Sequence, residues 1–349
     1  MLRPVIWLMG ALWLAGCGGG TSNHRPAPAP VRPAPSLRIL AVTDMDGALE
    51  PCGCTSRPLG GIDRLAARLS ELRAEVPSLM FVVGNTFVGP EHTDQPAFAA
   101  QTRLNEQTLG SVLQAIEVSV VAPGPADLRW GAEELRELSL RSDLRLLPSD
   151  EAEDAQAQSL SASASMQVGE LNVGVFAISS LEPTAEPVDT ARRLVLELKR
   201  AGAQIVVGLV SSSSRATRRI ARLQGVDLVI RGGLDRAEAL PPSQEGGALV
   251  VHGGRQGQGL LVVDLYRRGE GAFEDASAWS RRARAEQLRR EASSLARQIE
   301  GWERAGDTAA QDLQRQRQRL TDLRARADSA EQAGERIPAQ GNVVSARLL

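Results

Sequence analysis

Histidine is close to missing from this chain: among 349 residues, only His24, His92 and His252 carry an imidazole. A metal centre built on several imidazoles has almost nothing to draw on. Aromatic residues make up 3% of the chain, with Tyr266 the single tyrosine, so there are few flat faces on which a nucleobase could stack. Neither sign of charge is in excess, since 40 basic residues meet 42 acidic ones, and that balance excludes a basic footprint for nucleic acid. Cysteine occurs only at Cys17, Cys52 and Cys54; without a second pair to join Cys52 and Cys54, a zinc-thiolate site is incomplete. The apolar stretch from Val5 to Leu14 is too short to span a bilayer as a helix.

What stands at the start of the chain is an export signal. Arg3 supplies a positive end, Val5 to Leu14 the apolar segment, and Leu14-Ala15-Gly16-Cys17 small residues before a cysteine. This resembles a bacterial lipobox. Residues 1–17 then form a lipoprotein signal, cut before Cys17, whose thiol carries the lipid. Several acyl chains on one cysteine anchor a protein stably, each buried methylene contributing about 0.8 kcal/mol. The membrane is thus an expected partner, and the bacterial cell envelope the expected location. Gly18 rather than Asp follows the cysteine, and the resemblance then favours the outer membrane over the inner. Residues 18–36 read as a tether: three glycines, then Pro26, Pro28, Pro30, Pro33 and Pro35 among Ala, Val and Arg. His24 lies in it, solvated.

From Leu37 the pattern is that of a folded domain. Strands are expected at 37–42, 79–83, 117–121, 171–179, 205–210, 226–230, 248–252 and 259–266. Helices are expected at 61–74, 100–116, 132–140, 190–201 and 215–223. That alternation argues an α/β fold with sheet faces covered by helices. Residues 276–332 differ: Leu288, Ala292, Leu295, Ile299 and Trp302 step by four and three, and Leu313, Leu320, Leu323 and Ala327 resume after Gly306-Asp307. They predict an antiparallel helical hairpin of coiled-coil type, a spacer or self-association element with a possible protein partner. Residues 333–349 are a tail, in which Asn342 to Leu349 suits an edge strand on the main domain.

Functional groups in α/β sheets gather at the carboxyl ends of strands. Those ends read Asp44-Met45-Asp46-Gly47, Gly84-Asn85-Thr86, Pro123-Gly124-Pro125-Ala126-Asp127, Ser211 to Ser214, and Arg231-Gly232-Gly233-Leu234-Asp235. Together with LRILAVTDMDG, GGIDRLAARLSELR, GVDLVIRGG and VVHGGRQGQGLLVVDL, this order resembles the calcineurin-like metallophosphoesterases, and within them the N-terminal domain of the 5′-nucleotidases. LEPCGCTSRPLGG resembles a bacterial lipoprotein branch of such domains. The resemblance covers residues 37–268 and implies an α/β sandwich of two sheets.

It also implies a two-metal site, and here the chain departs from the pattern. Asp44 stands, but Asp46 replaces the first histidine, Asn85 the bridging aspartate, and Gly233 and Asp235 the two histidines of the last motif. Around Gly124 only Asp127 remains, and a serine run follows the strand where another histidine belongs. His92 falls in a loop; His252 ends a strand and reads equally as a structural residue or a ligand. Asp44, Asp46, Asn85, Asp127 and Asp235 are therefore remnant metal candidates. Their oxygens would suit one Mg²⁺, Mn²⁺ or Ca²⁺ better than zinc, although Asp also favours caps and turns. No cofactor and no catalytic residue is assigned. Cys52-Gly53-Cys54 leaves three options open, a loop staple, a redox pair or two soft metal ligands, and in an oxidising envelope the structural or partner-linked one is preferred. The expected function is a non-catalytic binding or scaffold role; the alternative is a phosphoester hydrolase with an atypical acidic site.

Overall fold

Leu37–Thr43 is apolar at nearly every position, and a strand without a polar face must be covered on both sides. It forms β1, at the heart of one of two sheets. The computed structural model describes residues 33–51, 59–89, 99–148, 161–179, 187–234, 238–306, 309–332, 337–338 and 340–349. Cys17, His24, most of the tether, Cys52, Cys54, His92 and Asp235 lie outside the described residues.

After β1 come α1 (Ile62–Glu75), β2 (Ser78–Gly84), α2 (Ala99–Ala115), β3 (Val120–Pro123), α3 (Pro125–Leu128) and α4 (Ala132–Ser142). Then follow β4 (Ser163–Val168), β5 (Leu171–Ser179), α5 (Pro187–Arg200), β6 (Ile205–Ser211), α6 (Ser214–Ala221) and β7 (Leu228–Arg231). The chain continues with β8 (Leu240–Glu245), β9 (Ala248–His252), β10 (Leu261–Tyr266), β11 (Glu274–Asp275), α7 (Ala278–Ala305), α8 (Ala310–Gln332) and β12 (Val343–Leu348). The first sheet has the order β11-β12-β10-β1-β2-β3 and the second β4-β5-β6-β7-β9-β8.

Alternate residues of the strands face opposite sides, and this divides the core into layers. Ile39, Ala41, Phe81 and Val83 of the first sheet meet Val175, Val207, Leu209 and Ile230 of the second. Leu69, Leu109, Leu113 and Leu138 bring α1, α2 and α4 onto the outer face of the first sheet. Leu194, Leu198 and Ile220 bring α5 and α6 onto that of the second. The result is the α/β sandwich of two sheets, helices outermost. Because β1, β2 and β3 are parallel, as are β5, β6, β7 and β9, their carboxyl ends open along one side of each sheet.

Three local readings change. β3 begins at Val120 rather than at residue 117, because Glu117 adopts φ 54° in a turn. β4 reads SASMQV, an edge strand whose small and polar residues hide its pattern. β8 contains Pro241-Pro242, which only an edge position tolerates. The tail supplies β12, which stands second in its sheet: Glu274 and Asp275 pair outside it, beside Val343 and Val344. A buried charge cluster joins β12 to the sheet centre. Asp264 accepts from Arg38 Nε at 2.6 Å and from Arg347 Nη1 at 2.6 Å.

α7 and α8 pack through Leu288, Ala292, Leu295, Ile299, Leu323 and Ala327. Arg289 pairs with Glu331 near one end and Arg317 with Glu303 (2.6 Å) near the other, as antiparallel helices require. Gly306, at φ 71°, ends α7. The hairpin is rooted at Ser277, whose buried Oγ accepts from Ala346 N at 2.8 Å, while Trp279 packs against the core between the sheets. Among the described residues no helix is long and apolar enough to cross a membrane.

Candidate functional site

The carboxyl ends of β1, β2, β3 and β7 converge, and glycines set how closely. Gly84 has φ 93°, and a Cβ there would lie 2.1 Å from Asp44 Oδ1. A Cβ on Gly232 would lie 2.6 Å from Gly84 Cα, and one on Gly124 2.3 Å from Asn85 N. No other residue type fits this crossing of backbones.

Asp44 follows β1 directly, in a left-handed conformation, φ 46°, fully buried. Its Oδ1 accepts from Asn85 N at 3.0 Å and Gly233 N at 2.7 Å; Oδ2 accepts from Leu234 N at 3.3 Å. Two of those donors belong to the loop after β7, so this carboxylate ties one sheet to the other. His252, at the end of β9, is also buried, with Nε2 3.6 Å from Asp44 Oδ2, beyond hydrogen-bond length. Its Nδ1 accepts from Gly254 N at 3.3 Å. Nε2 itself has no hydrogen-bond partner among the described residues.

Asp127 sits in α3 with no exposed surface. Its two oxygens accept from Thr86 N, Gly124 N, Phe87 N and Val88 N at 2.8, 3.1, 3.0 and 3.2 Å. Burial pushes its pKa up to about 7, against the downward pull of these four donors. Asn85 turns its Oδ1 to Ala126 N at 2.9 Å. Asp46 receives Arg255 Nε at 2.7 Å in a part-buried pair that the sequence did not disclose. An unmatched acid in a histidine's place and an arginine in the Gly-rich loop after β9 were the available signals, but nothing local joined them.

Asp44, Asn85 and Asp127 are thus brought together, with Asp46 alongside. The two sheets also bring in His252. The arrangement does not fit the two-metal centre that the fold implies. Asp44 and Asp127 direct their oxygens to backbone N–H groups, Asn85 has an amide for the bridging carboxylate, and Gly233, at a histidine position of the resembled motif, has no side chain and donates its N–H to Asp44. Among the described residues no group of three or more His, Cys, Asp or Glu side chains is placed to hold a metal ion.

Sequence comparison adds little: no family model matches the chain, and no curated protein matches it. Solved structures do. A 5′-nucleotidase precursor from Thermus thermophilus superposes with a TM-score of 0.56 at 20% identity, over 68% of this chain and 52% of its own. The sulfate thiohydrolase SoxB of Thermus thermophilus, in complex with glycerol, gives 0.54 at 17%, over 68% and 55%. The calcineurin-like phosphoesterase YfkN of Bacillus subtilis gives 0.53 at 16%, over 69% and 88%. The chain spans about half the length of the first two. Two sheets, their helices and the converging strand ends give this chain the fold of the calcineurin-like phosphoesterases and 5′-nucleotidases.

Proposed function

We propose that this chain is a lipid-anchored protein of the bacterial envelope whose phosphoesterase-like domain binds or scaffolds rather than hydrolyses. One observation carries the reading: the Asp44 carboxylate, the one ligand kept from the first metal motif, is engaged by the N–H groups of Asn85, Gly233 and Leu234. A metal ion would have to displace these donors. The cost of leaving buried N–H groups unmet is about 1–3 kcal/mol each.

Elemental analysis of the purified protein tests this, together with turnover of a generic phosphomonoester in Mn²⁺. The expected result is no stoichiometric metal pair and no rate above background. A metal pair, with turnover abolished by Asp44→Ala, would establish hydrolysis instead. That second reading, a hydrolase with an atypical acidic site, draws on His252: its Nε2 is buried, without a hydrogen-bond partner among the described residues, and 3.6 Å from Asp44.

The anchor is tested separately. Cys17→Ser is expected to move the protein from the membrane to the soluble fraction; retention on the membrane would remove the lipoprotein reading. Gly18 supports the outer membrane as destination. The hairpin, with its charged outer faces, is the proposed contact for a protein partner or a second copy. For Cys52 and Cys54, thiol titration with and without reductant separates a disulfide from free thiols.

A further inference from the structure

A second cluster lies on the outer side of the second sheet, where β7 ends against the first turn of α6. Arg231 is the last residue of β7; Leu228 and Ile230 face the inter-sheet core, so Arg231 faces the helices. Its Nη2 donates to Ser214 Oγ at 2.8 Å, and Ser214 is the first residue of α6. Its Nε is buried and has no hydrogen-bond partner among the described residues. Arg218 stands one helical turn beyond Ser214, exposed, and forms no ion pair among the described residues. Burial and the charge of Arg218 both act to lower the Arg231 pKa, and Asp44 opposes them only through space.

Arg231 reaches Ser214 from the strand end and Arg218 stands on the same helix face one turn on, with neither paired to a carboxylate among the described residues. Both are planar donors suited to oxygens of a tetrahedral anion. The Ser214 hydroxyl accepts from Arg231, and its own proton stays available to donate. Two uncompensated positive charges match a dianion better than a carboxylate. We propose that Arg231, Arg218 and Ser214 form a binding site for a phosphate group, free or carried on a larger molecule. The site needs no metal and lies outside the Asp44 cluster, so it stands whether or not that cluster hydrolyses anything.

The test is calorimetric titration of the purified full chain with inorganic phosphate, in EDTA and at ionic strength matched with chloride. EDTA removes phosphate capture by any metal centre, which keeps this question apart from that of hydrolysis. Saturable binding is expected, weakened roughly tenfold by Arg218→Gln and by Arg231→Gln. Arg68→Gln, on the remote helix α1, should bind as the parent does. Arg218 is exposed, so its variant keeps the test open even if Arg231→Gln misfolds. A parallel arm uses Cys17→Ser protein with vesicles of phosphatidylcholine and phosphatidic acid, whose phosphomonoester carries the second charge. Cosedimentation lost in Arg218→Gln would identify a lipid headgroup as the source. Phosphate binding without it would identify a soluble phosphate. Absence of both, or an Arg218→Gln protein that binds as tightly as the parent, would overturn the proposal.

Discussion

At their carboxyl ends the two sheets present opposite chemistry. The first offers acids, Asp44, Asp46 and Asp127, all enclosed and all engaged by N–H or guanidinium donors. The second offers Arg231 with a buried donor unmet, Arg218 without an ion pair, and Ser179 with a buried hydroxyl that has no partner, all among the described residues. One side is closed upon itself and contributes to holding the sandwich together. The other retains unmet hydrogen-bonding capacity. The acids of the first sheet are taken up by contacts within the protein, whereas the arginines of the second carry the proposed phosphate site.

The largest effect expected is at the closed side. Gly84→Ala would push a Cβ into Asp44 Oδ1 at φ 93°, and we expect a loss above about 3 kcal/mol, read by urea denaturation. Asp44→Ala should follow, costing about 3–5 kcal/mol, because one buried and two part-buried N–H groups lose their acceptor and a buried carboxylate is removed. If stability were unchanged and only metal content fell, Asp44 would be a ligand and the contrast would collapse. A smaller effect is expected from pH. The folded Asp127 holds its proton up to about 7, whereas the unfolded carboxyl releases it near 3.8. Stability from this group is complete below the lower value and is lost as pH rises through the upper one. The difference in unfolding free energy between the parent and Asp127→Asn should shrink or reverse accordingly between these limits. On the open side, Arg218→Gln should shift stability by no more than about 0.5 kcal/mol.

Much of this was legible in the sequence. Strands such as β1 and β6 are apolar runs that stop at polar residues, and the hairpin announces itself by spacing. The strand ends named Asp44, Asn85 and Asp127 as candidates and left open whether they meet; in the fold Asn85 N reaches Asp44 and Asp127 takes the N–H of Thr86. What could not be read is where their hydrogen bonds go. Gly233 N reaches Asp44 across 189 residues of chain, and Arg255 reaches Asp46 across 209. Backbone donors carry no residue signature, so a carboxylate retained for structure and one retained for metal look the same in a string of letters. His252 raises the same difficulty: its position beside Asp44 depends on how the second sheet faces the first. β8 was hidden by its prolines and β4 by its small residues, since an edge strand needs neither face to be apolar.

The way the hairpin is mounted has a mechanical consequence. Its outgoing helix leaves from β11 and Ser277, and its returning helix leads to β12, which lies between β11 and β10. Its outgoing foot is clamped, like a lever set in a wall, because Ser277 Oγ takes the N–H of Ala346 in β12. A pull along α7 would load β12 through Ser277, and through Arg347, Asp264 and Arg38 reach the central strand β1. Thr43, the last residue of that strand, immediately precedes Asp44. Force or partner binding at the hairpin thus has a continuous, hydrogen-bonded route to the edge where both clusters sit.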